Sequence, residues 1–393
     1  MELKDICQYV SEKVATTTLT KENYISTENM LPDKGGIVIA SGVPFGNSTA
    51  FSVGDVLVSN IRPYFRKIWQ ANRNGGCSAD VLCFRANSNV DNSYFYYLLS
   101  QQEFFDYIMS GAKGCKMPRG DKRQIMQWKV ELPPLDEQRH IASVLSSIDD
   151  KIELNRRINR NLEQQAQALF KAWFVDFEPF KNGKFVDSEL GRIPEGWKIG
   201  LLNELIELQS GFAFKSDTFV EEGEYRLITI KAVQDGYLDI SGASYINEVP
   251  TKMPHYCFLQ IGDMLLSLTG NVGRVCIVSY NNLLLNQRVA KIKPIKEMDR
   301  MFTYTLFRRN EFKNRLIYLA KGTAQLNLSP IETIKQKVII PPRHILNRYG
   351  TIANIMYDSI IEKMQESIAL TNLRDTLLPR LMSGELNVNT ITE

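Results

Sequence analysis

Apolar residues step by fours and threes through the middle of the chain: Ile141, Leu145, Ile148, Ile152, then Leu162, Ala166, Leu169 and Trp173. That period predicts an amphipathic helix from about Leu135 to about Phe174, with a heptad seam on one face. Two seam positions at its centre, Asn155 and Asn159, are polar. Upstream the pattern is different. The run FSVGDVLVSN (51–60), rich in β-branched residues and broken by Gly and Asn, predicts short strands. SYFYYLLSQQEFFDYIM (93–109) then predicts short helices, followed by a glycine-containing loop, a strand and the stop Pro133-Pro134. The same order returns later: CFLQIGDMLLSLTG (257–270), MFTYTLFRRNEFKNRLIYLA (301–320), a glycine loop and Pro341-Pro342. A second long periodic stretch follows, again polar at its centre, with Lys363 and Ser367 between Ile360 and Leu370.

The likeness is a repeat. Shifted by 208 residues, the chain falls in register with itself without a gap. Gly54-Asp55 lands on Gly262-Asp263, Ser59 on Ser267, Arg66 on Arg274, Val81 on Val289 and Tyr96 on Tyr304. Glu103-Phe104 lands on Glu311-Phe312, Gly114 on Gly322, Pro133-Pro134 on Pro341-Pro342, and Ile152, Leu162 and Leu169 on Ile360, Leu370 and Leu377. The predicted fold class is α+β: two tandem mixed α/β domains separated by two long antiparallel helices that form a coiled coil, related by a pseudo-two-fold internal repeat. The boundaries are a first domain at 1–134, a first long helix at 135–180, a linker and second domain at 181–340, and a second long helix with its tail at 341–393.

At ~1.5 Å per residue the first helix spans roughly 50 Å, and its apolar stripe needs a partner. The natural partner is its own copy. Paired antiparallel about their midpoints, the helices set Asn155 opposite Ser367 and Asn159 opposite Lys363. Such a layer costs stability and fixes register, so these four are candidate register residues. The alternative is that Ile158, Met364 and Ile368 take over the seam by helical drift and the polar residues face water.

The net charge of +3 over 393 residues says little, but its distribution says more. Between 111 and 129, Lys113, Lys116, Arg119, Lys122, Arg123 and Lys129 face one acid, Asp121, and residues 288–321 are also dominated by cations. Such stripes suit phosphate, though they also suit a solvated surface. Six scattered cysteines (Cys7, Cys77, Cys83, Cys115, Cys257, Cys276) form no C-x-x-C pair, which argues against zinc or a disulfide framework and for a reducing cytoplasm. No run approaches the ~20 apolar residues of a membrane span. No Walker loop for ATP is present and no G-x-G loop follows a strand as S-adenosylmethionine would need, and the Pro-Pro at 133–134, flanked by leucines, lacks the amide and aromatic of an adenine methylase. The expectation is no catalytic, metal or cofactor-binding residue in this chain.

The run LPPLDEQRHIASVLSSIDDKIELNRRINRNLEQQAQALFKAWFVDFEPF (132–180), the segment GRIPEGW (191–197) and the ending TLLPRLMSGELNV (376–388) resemble the conserved regions of the specificity subunit of type I restriction–modification enzymes. With the repeat, the resemblance covers almost the whole chain. The first copy lacks an IPEGW leader, and the second helix, which opens Arg343-His344-Ile345, has no match to Asp136-Glu137-Gln138 of the first. The resemblance implies two target-recognition domains on double-stranded DNA, reading an asymmetric bipartite site. It further implies two methyltransferase subunits and two restriction–translocase subunits as partners, which would carry S-adenosylmethionine, ATP and Mg2+.

The residues themselves point the same way. Phosphates are met by Lys and Arg, and base edges by Arg, Asn and Gln on loops. In the first domain the DNA-binding candidates are Arg62, Arg66, Lys67, Lys113, Lys116, Arg119 and Lys122. In the second they are Asn271, Arg274, Asn286, Gln287, Arg288, Lys321, Gln325 and Asn327. The aromatic run Trp173, Phe174, Phe177 and Phe180 is expected to pack against the second domain, or else to dock a partner subunit. Competing readings are a coiled-coil adaptor that binds proteins and a stand-alone nuclease or methylase.

Overall fold

The structure, a computed structural model, describes residues 1–114, 116–322 and 325–386 and divides into two compact units. One comprises 1–151 with the residues from 370 onward; the other is 152–369. Cys115 and the close of the 376–388 ending lie outside the described residues.

In the first unit, strands Cys7–Tyr9, Val81–Ala86, Val56–Ser59 and Ile68–Gln70 form one antiparallel sheet in that order. A second sheet runs Lys13–Ala15, Asn47–Phe51, Gly75–Cys77, Tyr24–Ile25, with a parallel last pair. Helices Asn92–Leu99 and Gln102–Ser110 supply Tyr94, Phe95, Phe104 and Phe105 to a core shared with Val56, Val58 and Phe84. Asp91 caps the first of them, its carboxylate accepting from the Ser93 and Tyr94 amides.

The second unit repeats the first sheet strand for strand: Ile206–Ser210, Val289–Pro294, Met264–Ser267, Val275–Ile277. Its other sheet runs Tyr245–Ile246, Tyr225–Ile228, Leu283–Leu285, Phe258–Leu259, and again joins two of its strands in parallel. Three strands of this sheet correspond between units. The fourth is added at opposite edges: beside Asn47–Phe51 in the first unit, beside Tyr225–Ile228 in the second. An edge strand needs only one ladder, so it can be exchanged without disturbing the core.

The predicted offset holds from the middle of each unit onward and fails at its start. The turn Leu3–Asp5 corresponds to Leu202–Glu204, a shift of 199. The bridge Glu2 with Lys129 becomes, in the second unit, a full strand pair of Lys198–Leu201 with Lys337–Ile340. The IPEGW leader serves the core of the second unit. Its Trp197 is buried, with ring centroids 5.4 Å from Phe177 and 5.1 Å from Phe180. The aromatic run therefore packs there as expected, with Phe174 also on Phe302 and Tyr349.

The long helices span Leu135–Phe174 and Arg343–Met382, and each contributes to both units. Within each unit they run antiparallel. In the first, Leu145 shares a core with Leu378 and Leu381, and Arg374 Nη1 lies 2.7 Å from Asp149 Oδ1. In the second, Asn159 Nδ2 donates to the Ile360 carbonyl at 3.3 Å, and Trp173 packs on Tyr349. A tyrosine from the short helices grips the first long helix in each case: Tyr97 Oη donates to Asp149 Oδ2 at 2.8 Å, and Tyr304 Oη to Glu163 Oε1 at 2.5 Å. Burial, and then the Glu163 charge, push the Tyr304 phenol well above its ordinary pKa, so it stays a donor.

Asn155 does not face water. It is fully buried, and both its amide atoms lack a hydrogen-bond partner among the described residues. Asn159 reaches the Ile360 carbonyl; Lys363 pairs with Glu366 at 2.8 Å on its own helix, and Ser367 Oγ donates to the Lys363 carbonyl. An unpaired buried amide costs about 1–3 kcal/mol. Asn155→Leu is thus expected to raise the denaturant midpoint of the second unit, by about 1–2 kcal/mol in stability. An unchanged or lowered midpoint would mean that the amide is satisfied in solution.

Candidate nucleic-acid interface

Strand ends bring the basic segments of each unit together. In the first unit the Arg62 amide donates to the Pro118 carbonyl at 2.9 Å, and the Asn60 amide to the Asp80 carbonyl at 2.9 Å. Lys113 and Arg119 exchange two backbone hydrogen bonds (2.9 and 3.0 Å), closing the glycine loop, and Arg119 also bridges to Ile61. Gly114 sits in that loop at φ +100°, a conformation that disfavours any side chain.

Adding 208 to each number reproduces the frame. The Gly270 amide donates to Leu326 (3.0 Å) and the Leu268 amide to Arg288 (2.9 Å). Lys321 and Asn327 exchange two bonds (3.0 and 2.8 Å), Asn327 bridges to Thr269, and Gly322 has φ +130°. Both units thus hold a loop over the same strand ends by the same backbone bonds. The side chains on the frame differ: Ile61, Asp80, Met117 and Arg119 in the first unit stand where Thr269, Arg288, Gln325 and Asn327 stand in the second.

The candidates divide by what already holds them. Lys113, Lys116, Arg119 and Lys122 are exposed, with Lys113 3.5 Å from Asp121 and Arg119 Nη2 3.1 Å from Asp80 Oδ1. Arg62 and Arg66 flank the Pro63–Phe65 turn in left-handed backbone at φ 49°; Arg66 is tied to Asp33 and, at 3.0 Å, to Gln102. Lys67 donates to the Thr27 carbonyl at 2.7 Å, and burial, with repulsion from Arg62 added, holds its ammonium below the ordinary pKa. In the second unit Asn271, Gln287, Arg288, Lys321, Gln325 and Asn327 are exposed around the loop frame. Arg274 is hydrogen-bonded to Gln234, and Asn286 is buried, its Oδ1 accepting from the Gln287 amide. Asp80 and Thr269 were not among the expected residues, yet both hold a candidate in place. The repeat offset carries the signal that finds them, since it sets Asp80 against Arg288 and Ile61 against Thr269.

The family model described as the type I restriction modification DNA specificity domain matches residues 1–164 and again 194–369. The chain belongs to that family. Among its curated relatives, the specificity subunit of the type I restriction enzyme MjaIX of Methanocaldococcus jannaschii is 30% identical over 307 residues, covering 76% of this chain and 70% of the relative. The HindI specificity subunit of Haemophilus influenzae is 24% identical, with 98% of each chain covered. The type I restriction–modification S subunit of M. genitalium, a crystal structure, has the same fold at TM-score 0.55 and 17% identity, covering 97% of this chain and 95% of its own. This type I specificity chain thus carries the family's domain twice, and each copy contains one of the two loop frames. Among its described residues no helix is long and apolar enough to cross a membrane, and no group of three His, Cys, Asp or Glu side chains could hold a metal ion.

Proposed function

We propose that this chain is the non-catalytic specificity subunit of a type I restriction–modification assembly, and that its two units read the two unlike halves of a bipartite DNA site. The observation that carries the reading is the duplicated loop frame: the same backbone bonds, an exposed lysine at Lys113 and Lys321 in both, and different side chains at the remaining positions. Equal frames suit the repeating phosphate backbone; unequal side chains suit different bases. Two methyltransferase subunits and two restriction–translocase subunits would join it and bring S-adenosylmethionine, ATP and Mg2+, forming a complex that modifies adenine or cleaves DNA. The buried thiols Cys7, Cys77, Cys83, Cys257 and Cys276, all free, suit the cytoplasm. The buried Asn155, beside the Asn159 contact, would select one register of the two helices.

Two measurements test this. Duplex affinity of the purified chain should fall steeply with salt, about a thousandfold between 50 and 200 mM if several phosphates are neutralised. A flat salt response would favour the protein-binding adaptor. With its methyltransferase subunit and S-adenosylmethionine added, DNA should become methylated at one bipartite sequence. Methylation or cleavage by the lone chain would overturn the non-catalytic reading.

A further inference from the structure

We propose that the residue closing each glycine loop is a base-reading position: Arg119 takes a guanine edge in one half-site and Asn327 an adenine edge in the other. The inference rests on the DNA-reading function proposed above and goes on to assign chemistry within it. The two residues occupy the same place on the shared frame, 208 apart, each locked by a two-way backbone exchange with the lysine six residues earlier. Both side chains are exposed.

Each is also aimed by a neighbour from another strand end. Asp80 Oδ1 lies 3.1 Å from Arg119 Nη2, an ion pair between two exposed side chains that draws the guanidinium toward that strand end and leaves its other N–H donors for a ligand. A guanidinium held in this way matches the paired O6 and N7 acceptors of guanine in the major groove. Asp80, an anion on a DNA-facing frame, would repel phosphate; here it steers an arginine. In the second unit Thr269, 4% exposed, donates its hydroxyl to Asn327 Oδ1 at 2.8 Å. That bond uses one lone pair. The other can accept from adenine N6 while Nδ2 donates to N7, the pairing an asparagine amide makes with adenine.

Three other cations of the first unit are less suited. Arg66 and Lys67 are engaged with Asp33, Gln102 and the Thr27 carbonyl. Lys113 is a lysine in both copies, so it cannot distinguish the half-sites and suits phosphate.

The test uses the complex with its methyltransferase subunit, acting on a DNA library randomised over the recognised site and read by base-modification sequencing. Arg119→Gln and Arg119→Ala should each lose preference for one G·C pair in one half-site, lowering kcat/KM on the original sequence about 10- to 100-fold. Asn327→Ala should relax one A·T pair in the other half-site by a similar factor. In each variant the untouched half-site keeps its consensus, which reports in the same molecule that the complex is folded and assembled. Lys113→Ala should weaken all sequences alike. An unchanged consensus in the Arg119 and Asn327 variants, or a uniform loss with both half-sites intact, overturns the assignment. A wild-type complex that methylates without any bipartite preference instead removes the function on which it stands.

Discussion

Replacing Arg343 by methionine is expected to cost the second unit about 3 kcal/mol. Arg343 opens the second long helix and grips Asp299 with both terminal guanidinium nitrogens, Nη1 and Nη2, at 2.6 and 2.5 Å. Asp299 is 1% exposed and precedes the helix Arg300–Arg308, so the pair pins that helix to the start of the long one. Removing the arginine strands a buried carboxylate, which costs about 3–5 kcal/mol where water is excluded. The Arg343 side chain is itself 41% exposed, so water can enter and the lower end applies. Denaturant unfolding checks the size. A second variant, Asp299→Leu with Arg343→Met, should recover much of the loss, because it removes both charges. If the double variant is no more stable than the single one, the stranded charge is not the cause.

The first unit should respond similarly to Arg374→Met, with a loss of about 2–4 kcal/mol. Arg374 is 8% exposed and lies in a chain of charges: Tyr97 donates to Asp149, Asp149 accepts from Arg374, and Asp375 takes both Arg374, at 3.0 Å, and Lys34, at 2.9 Å. Two acids and two bases balance. Without the arginine, Asp149 keeps only the tyrosine hydroxyl, and Asp375 only Lys34. Asp375 is 46% exposed and Asp149 27%, which tempers the loss. Hydrogen exchange should show faster opening of Asn92–Leu99 and of residues 370–382, with 152–369 unaffected. Uniform acceleration across both units would contradict a local network.

The long helices were legible because their pattern is dense. Forty residues of heptad stepping, bounded by Pro-Pro, gave Leu135–Phe174 as the structure has it. The offset of 208 was equally readable, since sheet ladders and paired helices tolerate no insertion. The shift of 199 at the start of the units was not, because the nine-residue difference falls in loops and an exchangeable edge strand, where length is free. The candidate site was legible by segment and not by residue. Nothing near Lys67 in sequence announces the Thr27 carbonyl, and nothing near Arg274 announces Gln234, both 40 residues away. Asn155 stood out as a polar break in the seam, but whether helical drift would turn it outward depends on the partner helix, which a single periodicity does not specify.

The first unit is assembled from two separate stretches of chain, and Leu378 and Leu381 lie in its core beside Leu145 and Tyr94. The second unit is one unbroken stretch. On the ribosome, then, the part made first is completed last: its sheets emerge early but wait, with an open apolar flank, until residues 370–382 arrive. A nonsense mutation or proteolytic nick just before Leu370 would spare the later-made unit and cripple the earlier one. Nascent chains stalled there should be the ones that chaperones hold.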